Sequence, residues 1–340
     1  MSSTDATRRA ALAALRGRHF LTDVDYTRGE LEALLKLAVD LKALWAKRPL
    51  TPFFPGRHLA MIFEAASTRT RVSFENGFAE LGGNAVYLRP GEIHLPGRET
   101  IADTARTLAQ FNAAIVIRSH HAETLNELAA WSTVPVLNAM DANGHPCQSM
   151  SDALTILETA GTLEGVTFAY IGSAGQVCVS LATTLTKLGL DVRIGNAVGY
   201  QMTPAIVELS ERFAAESGGS FLVTNDPHEA IAGADFVYTD CFTWPGLEDE
   251  LEDRVVAFAP FQVNQELWSS AKPGARFMHC LPAMRGEEVS DEIVEGEMSL
   301  VFPQAQNRMH FQKALLLALI GLDELPADAE LQAIGRDLVS

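Results

Sequence analysis

The segment Phe63-Glu64-Ala65-Ala66-Ser67-Thr68-Arg69-Thr70-Arg71 follows an apolar run, residues 59–63. It leads into a stretch whose apolar residues Val72, Phe74, Phe78 and Leu81 fall at helical spacing and stop at Gly82-Gly83. That pattern predicts a buried strand, a turn and a helix over 72–81. A strand-to-helix turn offers free backbone N–H groups and the positive end of a helix dipole, and this one adds hydroxyls and two guanidiniums. The chemistry it supports is capture of a small anion such as phosphate. Guanidiniums at a helix N-terminus oppose the dipole unless an anion compensates them, so an ordinary solvated first turn explains the segment less well.

Further polar residues stand where predicted strands end, which is where open α/β sheets place ligands. Arg118 closes a strand over 113–118. His145-Pro146-Cys147-Gln148 lies between a strand and a helix, Asp240 follows a strand over 236–239, and His279-Cys280-Leu281-Pro282 ends a strand over 276–280. Asn307-Arg308 opens the final helix. Any one of these alone is more often a surface or structural residue than a catalytic one.

The elements that must position them alternate along the chain. A helix starts near Thr27, where Thr27 and Glu30 form a capping-box pattern ahead of Leu31, Leu34, Leu35, Ala38 and Leu41. Strands at 58–63, 84–88, 113–118 and 134–138 are separated by helical patterns. A helix over 151–157, ending near Gly161, leads to a second series with strands at 166–171, 191–195, 220–224, 236–239 and 276–280. Helices at 177–188, 204–216 and 262–270 lie between those strands. The reading is α/β, with two doubly wound parallel-sheet domains joined by helices. The expected division is 1–150 and 151–322, with the helix 305–319 returning to the first domain and an acidic tail over 323–340.

Composition narrows the function. With 340 residues, 47% of them hydrophobic, the chain can bury a large core. A net charge of −17 leaves no basic face for nucleic acid, so an anionic substrate must be drawn by a local cationic cluster. The four cysteines are scattered, with no close pair to signal a zinc site or a disulfide framework, and free thiols fit a cytoplasmic location. Residues 4–18 read as a surface helix, and no apolar run is long enough to span a bilayer. Gly172-Ser173-Ala174-Gly175 follows a strand and opens a helix but lacks the spacing of a dinucleotide fingerprint.

Taken together, STRTR at 67–71, DTAR at 103–106, HPCQ at 145–148, FQVN at 261–264, HCLP at 279–282 and Asn307-Arg308 resemble the aspartate/ornithine carbamoyltransferase family over nearly the whole chain. HCLP points to the ornithine-type branch. The resemblance implies that Ser67, Thr68, Arg69 and Thr70 hold the phosphate of carbamoyl phosphate. It implies that Arg118, His145 and Gln148 hold the carbamoyl end, that Arg308 completes the cationic pocket, and that Cys280 and the Leu281 carbonyl face the reacting amine. His94 is implied to reach a neighbouring subunit's site in a homotrimer with shared active sites. Arg71 is open to a structural ion pair in place of a ligand role. Carbamoyl phosphate is already activated, so the chemistry requires alignment and charge stabilisation and calls for no metal, cofactor or covalent intermediate.

The acceptor end departs from the ornithine-specific pattern. An Asp-x-Asn-Asn segment is replaced by Ser173-Ala174-Gly175-Gln176, and the Ser-Met-Gly turn is missing after Asp240, where Cys241-Phe242-Thr243-Trp244-Pro245-Gly246 stands. The carboxylate suited to a distal ammonium, Asp240, remains, while groups that hold an α-carboxylate are gone. The acceptor expected on these grounds is putrescine-like, contacted by Gln176, Asp240, Trp244 and Cys280. These segments and the helical C-terminus look like putrescine carbamoyltransferases. Ornithine, giving L-citrulline, is the alternative, with Arg285 or Gln176 replacing the lost carboxylate donors; 2,3-diaminopropionate is another. A homologue that binds carbamoyl phosphate or an amine without turnover is the reading from a different class.

Overall fold

The computed structural model describes residues 3–95, 97–243, 247–323, 328–336 and 338. The chain forms two compact units, Met1–Leu154 with Gln306–Ser340, and Thr155–Ala305. It crosses between them inside two helices, Pro146–Ala160 and Val301–Ile320. Both units are parallel α/β sheets, as the alternation of apolar runs and helical spacings predicts.

In the first unit, β1 (His58–Phe63), β2 (Asn84–Leu88), β3 (Ala114–Arg118) and β4 (Val136–Asn138) run parallel in the order β2-β1-β3-β4. Strands β1 and β3 are buried almost throughout, which explains why they read as continuous apolar runs. The order reverses between β1 and β3, whose last residues, Phe63 and Arg118, face each other in register. That switch point is the crevice where parallel sheets bind ligands. The second unit repeats the plan with β5 (Thr167–Ile171), β6 (Asp191–Gly195), β7 (Ser220–Thr224), β8 (Phe236–Thr239) and β9 (Arg276–His279) in the order β7-β6-β5-β8-β9. Its switch point lies between β5 and β8.

Several helices begin or end away from their predicted positions. The helix after β1 spans Thr68–Glu80, so the Thr and Arg residues form its first turn and not a preceding loop. Periodicity locates only the first buried apolar residue, and here it is preceded by a polar helical turn. His145-Pro146-Cys147-Gln148 is not a loop either: Pro146 begins the helix Pro146–Ala160, a position where its missing N–H costs nothing. The last helix starts at Val301, so Asn307 and Arg308 lie in its second turn. The predicted helix 262–270 is the single turn Gln265–Trp268, and Leu251–Phe258 is an additional helix in a strongly acidic stretch. Of the predicted tail, Ala329–Gly335 is a helix capped by Asp328, which pairs with Arg48 at 2.5 Å; Leu331 and Leu338 are buried in the first unit.

The helix Val301–Ile320 packs back on the first unit. It is held there by a buried polar layer facing Arg28–Trp45 and Thr68–Glu80. Lys42 donates to Asn307 at 2.7 Å, Lys313 pairs with Glu80 at 2.7 Å, and the Trp45 indole donates to Glu80 at 3.1 Å. Gly77 lets the helices approach closely, since a Cβ there would meet Lys313 and Met309 side chains at 3.3 Å. The N-terminal capping box at Thr27 and Glu30 is present and starts the helix Arg28–Trp45.

His310 lies in the same layer, fully buried against Trp45. Burial, then the charges of Lys313 and Lys42, push its imidazole down to about 3. A histidine depressed in the folded state binds its proton in the unfolded chain first, so stability is lost as pH falls below the unfolded value of 6.5. Urea titrations should therefore show His310→Phe losing less stability than wild type between pH 6.5 and 5, with a difference of up to about 2 kcal/mol. Parallel pH profiles for the two proteins would contradict this origin of the acid sensitivity.

Candidate active site

The first unit gathers its polar residues at the carboxyl ends of β1 and β3. Glu64 continues β1 by donating its backbone N–H to the Arg118 carbonyl at 2.9 Å, and its carboxylate accepts from the Ser119 hydroxyl at 2.9 Å and the His120 N–H at 2.8 Å. This acid, unassigned from sequence, locks the two strand ends together. Ser67 is the N-cap of Thr68–Glu80 in an extended conformation, with no side-chain capping bond and no acid in the first turn. The dipole end is therefore uncompensated by its own helix. Arg69 is half-buried and has no ion-pair partner among the described residues, whereas Arg71 pairs with Glu75 at 3.2 Å and lies over the Tyr87 ring. Arg71 thus takes the structural role left open for it.

Thr70, Gln148 and Arg308 form one buried cluster. The Arg308 guanidinium donates to the Thr70 hydroxyl at 2.6 Å and to the Gln148 side-chain oxygen. Gln148 in turn donates its amide to Asp152 at 2.8 Å, one helical turn on. His145 is buried beside the cluster. Burial first, then the Arg308 and Arg118 charges, hold its imidazole well below the ordinary histidine value, so it is neutral at physiological pH. Asp141, also missed from sequence, shapes the approach to His145 by accepting from the backbone of Asn143 and Gly144 at 3.1 and 2.9 Å. Cys147 is a packing residue, its thiol donating to the Asn138 carbonyl at 3.2 Å and pushed up to about 12 by burial. His94 is exposed, in the loop after β2, with no described contact to this cluster.

The second unit brings Asp240 and Cys280 together at the ends of β8 and β9. Asp240 accepts from the Cys280 thiol at 3.1 Å and from the Cys241 N–H at 2.8 Å. Leu281 has a left-handed backbone, φ 58°, and its N–H donates to Nδ1 of the buried His279 at 2.8 Å. Nε2 of His279 meets the buried Glu288 carboxylate at 3.1 Å, which fixes the tautomer. His279 brings ligand-type atoms within 4.8 Å in two groups, Asp240/His279/Cys280 and Cys241/His279/Glu288. A metal at either would displace hydrogen bonds that already use both of its nitrogens.

Gln176 is half-buried at the start of the helix Gln176–Lys187, and Trp244 lies outside the described residues. Arg285, considered as a replacement carboxylate donor, is occupied instead: it pairs with Asp291 at 2.9 Å and with Glu295. The residue that organises this end is Arg254, fully inside and unforeseen from sequence. It donates to the Phe242 carbonyl at 2.6 Å and the Ser173 hydroxyl at 3.1 Å, joining the loops after β5 and β8. Gly172 lies at the same junction, where a Cβ would meet the Phe242 ring at 3.2 Å.

A family model described as the aspartate/ornithine carbamoyltransferase carbamoyl-P binding domain matches residues 18–158, and one described as the Asp/Orn binding domain matches 164–319. The chain belongs to the aspartate/ornithine carbamoyltransferase family. It is 46% identical over 310 residues to the ornithine carbamoyltransferase of Anoxybacillus flavithermus, covering 91% of this chain and 99% of that one. The Bacillus subtilis ornithine carbamoyltransferase is 45% identical over 90% of this chain and 95% of its own length. Among solved structures, the ornithine carbamoyltransferase from Pyrococcus furiosus superposes with a TM-score of 0.87 at 44% identity, covering 90% of this chain and 98% of that one. The chain is therefore a carbamoyltransferase that uses carbamoyl phosphate. These matches do not support the closeness to putrescine enzymes read from the acceptor segments, and they favour the ornithine alternative.

Arg254→Met would leave the Ser173 hydroxyl and the Phe242 carbonyl without their buried donor. The expected cost is about 3 kcal/mol of stability. Thermal and urea unfolding read it directly, and a loss below about 0.5 kcal/mol would show that the two loops hold each other without Arg254.

Proposed function

We propose that this carbamoyltransferase acts on L-ornithine and makes L-citrulline, releasing phosphate. The observation that carries this reading is the match, over nine-tenths of the chain, to relatives named ornithine carbamoyltransferases. The first unit binds the donor. Ser67, Thr68, Arg69 and Thr70 take the phosphate at the helix N-terminus, and Arg118, His145, Gln148 and Arg308 take the carbamoyl end. Cys280, the Leu281 carbonyl and Asp240 receive the amine, with Gln176 and Trp244 beside the rest of the acceptor.

In this reading the neutral δ-amine attacks the carbonyl carbon. A C–N bond forms, the C–O bond to phosphorus breaks, and the departing phosphate takes the proton that the amine loses. A neutral His145 can donate one ring N–H to the carbonyl oxygen, while the Arg118 and Arg308 charges stabilise the oxyanion and the leaving group. Assembly as a homotrimer, with His94 delivered to a neighbour's phosphate, belongs to the same reading.

A plain diamine such as putrescine is the second reading. It is favoured by Ser173-Ala174-Gly175-Gln176, which lacks the Asp-x-Asn-Asn donors, and by the ion pairs that occupy Arg285. Product mass spectrometry with carbamoyl phosphate and a panel of ornithine, putrescine and 2,3-diaminopropionate separates the two. Citrulline as the dominant product is expected; carbamoylputrescine at higher kcat/KM would reverse the assignment, and silence across the panel would point to a different amine acceptor.

Arg69→Ala should lower kcat/KM for carbamoyl phosphate by about 10- to 150-fold, the equivalent of one charge-assisted phosphate contact of about 1.5–3 kcal/mol. Turnover close to wild type in that variant would remove Arg69 from the phosphate site.

A further inference from the structure

Asp152 is completely buried on the helix Pro146–Ala160, one turn beyond Gln148, in the same unit as the donor cluster. A glutamine amide has an acceptor end and a donor end, and only the acceptor end can face a guanidinium. Gln148 presents its oxygen to Arg308 and its NH2 to the Asp152 carboxylate at 2.8 Å. A reversed amide would set its NH2 against the Arg308 donors on one side and its oxygen against the Asp152 carboxyl on the other. The Arg308 fork is held on its second tooth by Thr70 at 2.6 Å, so the direction of the Gln148 amide decides whether both teeth are engaged.

We propose that Asp152 is a positioning residue for carbamoyl transfer: by fixing the Gln148 amide it fixes the aim of the Arg308 guanidinium. The chain Asp152–Gln148–Arg308–Thr70 is a line of polarised hydrogen bonds in which each member strengthens the next. The carboxyl at its far end accepts the Gln148 NH2 and acts without touching the substrate. This proposal rests on the reading of the Thr70–Gln148–Arg308 cluster as the carbamoyl phosphate end.

The test is a double-mutant cycle on the full-length protein with Asp152→Asn and Gln148→Ala, following initial rates with carbamoyl phosphate varied and the amine saturating. Asp152→Asn keeps the volume and removes the enforced polarity, and it should lower kcat/KM for carbamoyl phosphate about tenfold. The amine KM should stay within about twofold, because unit-wide damage is not the mechanism. In the Gln148→Ala background, Asp152→Asn should add less than about twofold, since its route of action is gone. Effects that multiply in the double variant, or wild-type kcat/KM in Asp152→Asn, overturn the proposal and leave the reading of the cluster standing. Wild-type kcat/KM in Gln148→Ala overturns that reading and the proposal with it. If Asp152→Asn does not accumulate as folded protein, Asp152→Ser takes its place in the same cycle.

Discussion

Three segments far apart in the chain converge on one buried guanidinium. Arg308 is 3% exposed, and a charge so enclosed is tolerable only if its N–H groups are met by well-placed acceptors. Thr70 and Gln148 supply two of them, from the first turns of two helices that follow two different strands. Much of the first unit can be understood as what is needed to keep those turns in register with the helix that carries Arg308. The β1–β3 pairing and the Glu64 clasp fix the strand ends, the close approach at Gly77 and the Lys313–Glu80 contact tie Thr68–Glu80 to the helix that carries Arg308, and Lys42–Asn307 ties that helix to Arg28–Trp45. The neutral state of His145 is a by-product of that arrangement, because two guanidiniums and full burial leave no room for a third positive charge.

The second unit solves a different problem with the same sheet plan. Its ligand end carries the Asp240 carboxylate and the Cys280 thiol, hydrogen-bonded to each other at 3.1 Å. Order is imposed instead on the backbone. His279 accepts the Leu281 N–H and leans on Glu288, which holds a left-handed leucine that has no glycine-like freedom to sit there. Arg254 performs the equivalent service for the loops after β5 and β8. Its contacts to the Phe242 carbonyl and the Ser173 hydroxyl anchor those two loops to one buried guanidinium.

The sheets were readable in the sequence because buried parallel strands are short continuous apolar runs, and β1, β3, β5 and β8 are of that kind. The residues of the candidate donor cluster were readable because hydroxyls and guanidiniums at a strand end suggest an anion site. Helix starts were misread at Thr68, where a polar turn precedes the first apolar residue, and at Pro146 and Val301, where a proline in the first turn reads as a break. The supporting acids Glu64, Asp141 and Asp152 and the buried Arg254 escaped notice because their meaning lies in a partner distant in sequence, or in a hydrogen bond that composition does not encode. Asp152 alone carried a local signal, its spacing of four from Gln148 on one helix. Arg285 shows the reverse error: a well-placed cation in sequence proved to be occupied by Asp291 and Glu295.

The chain leaves the first unit after Leu154 and re-enters it at Gln306, while Thr155–Ala305 is continuous. On the ribosome, the continuous body has all its residues before the interrupted one has its last helix. Arg308 thus emerges after the whole of that continuous body, 238 and 160 residues behind Thr70 and Gln148, whose side chains meet it. A chain that stops short of Arg308 therefore lacks the guanidinium on which the buried Thr70–Gln148 cluster is centred.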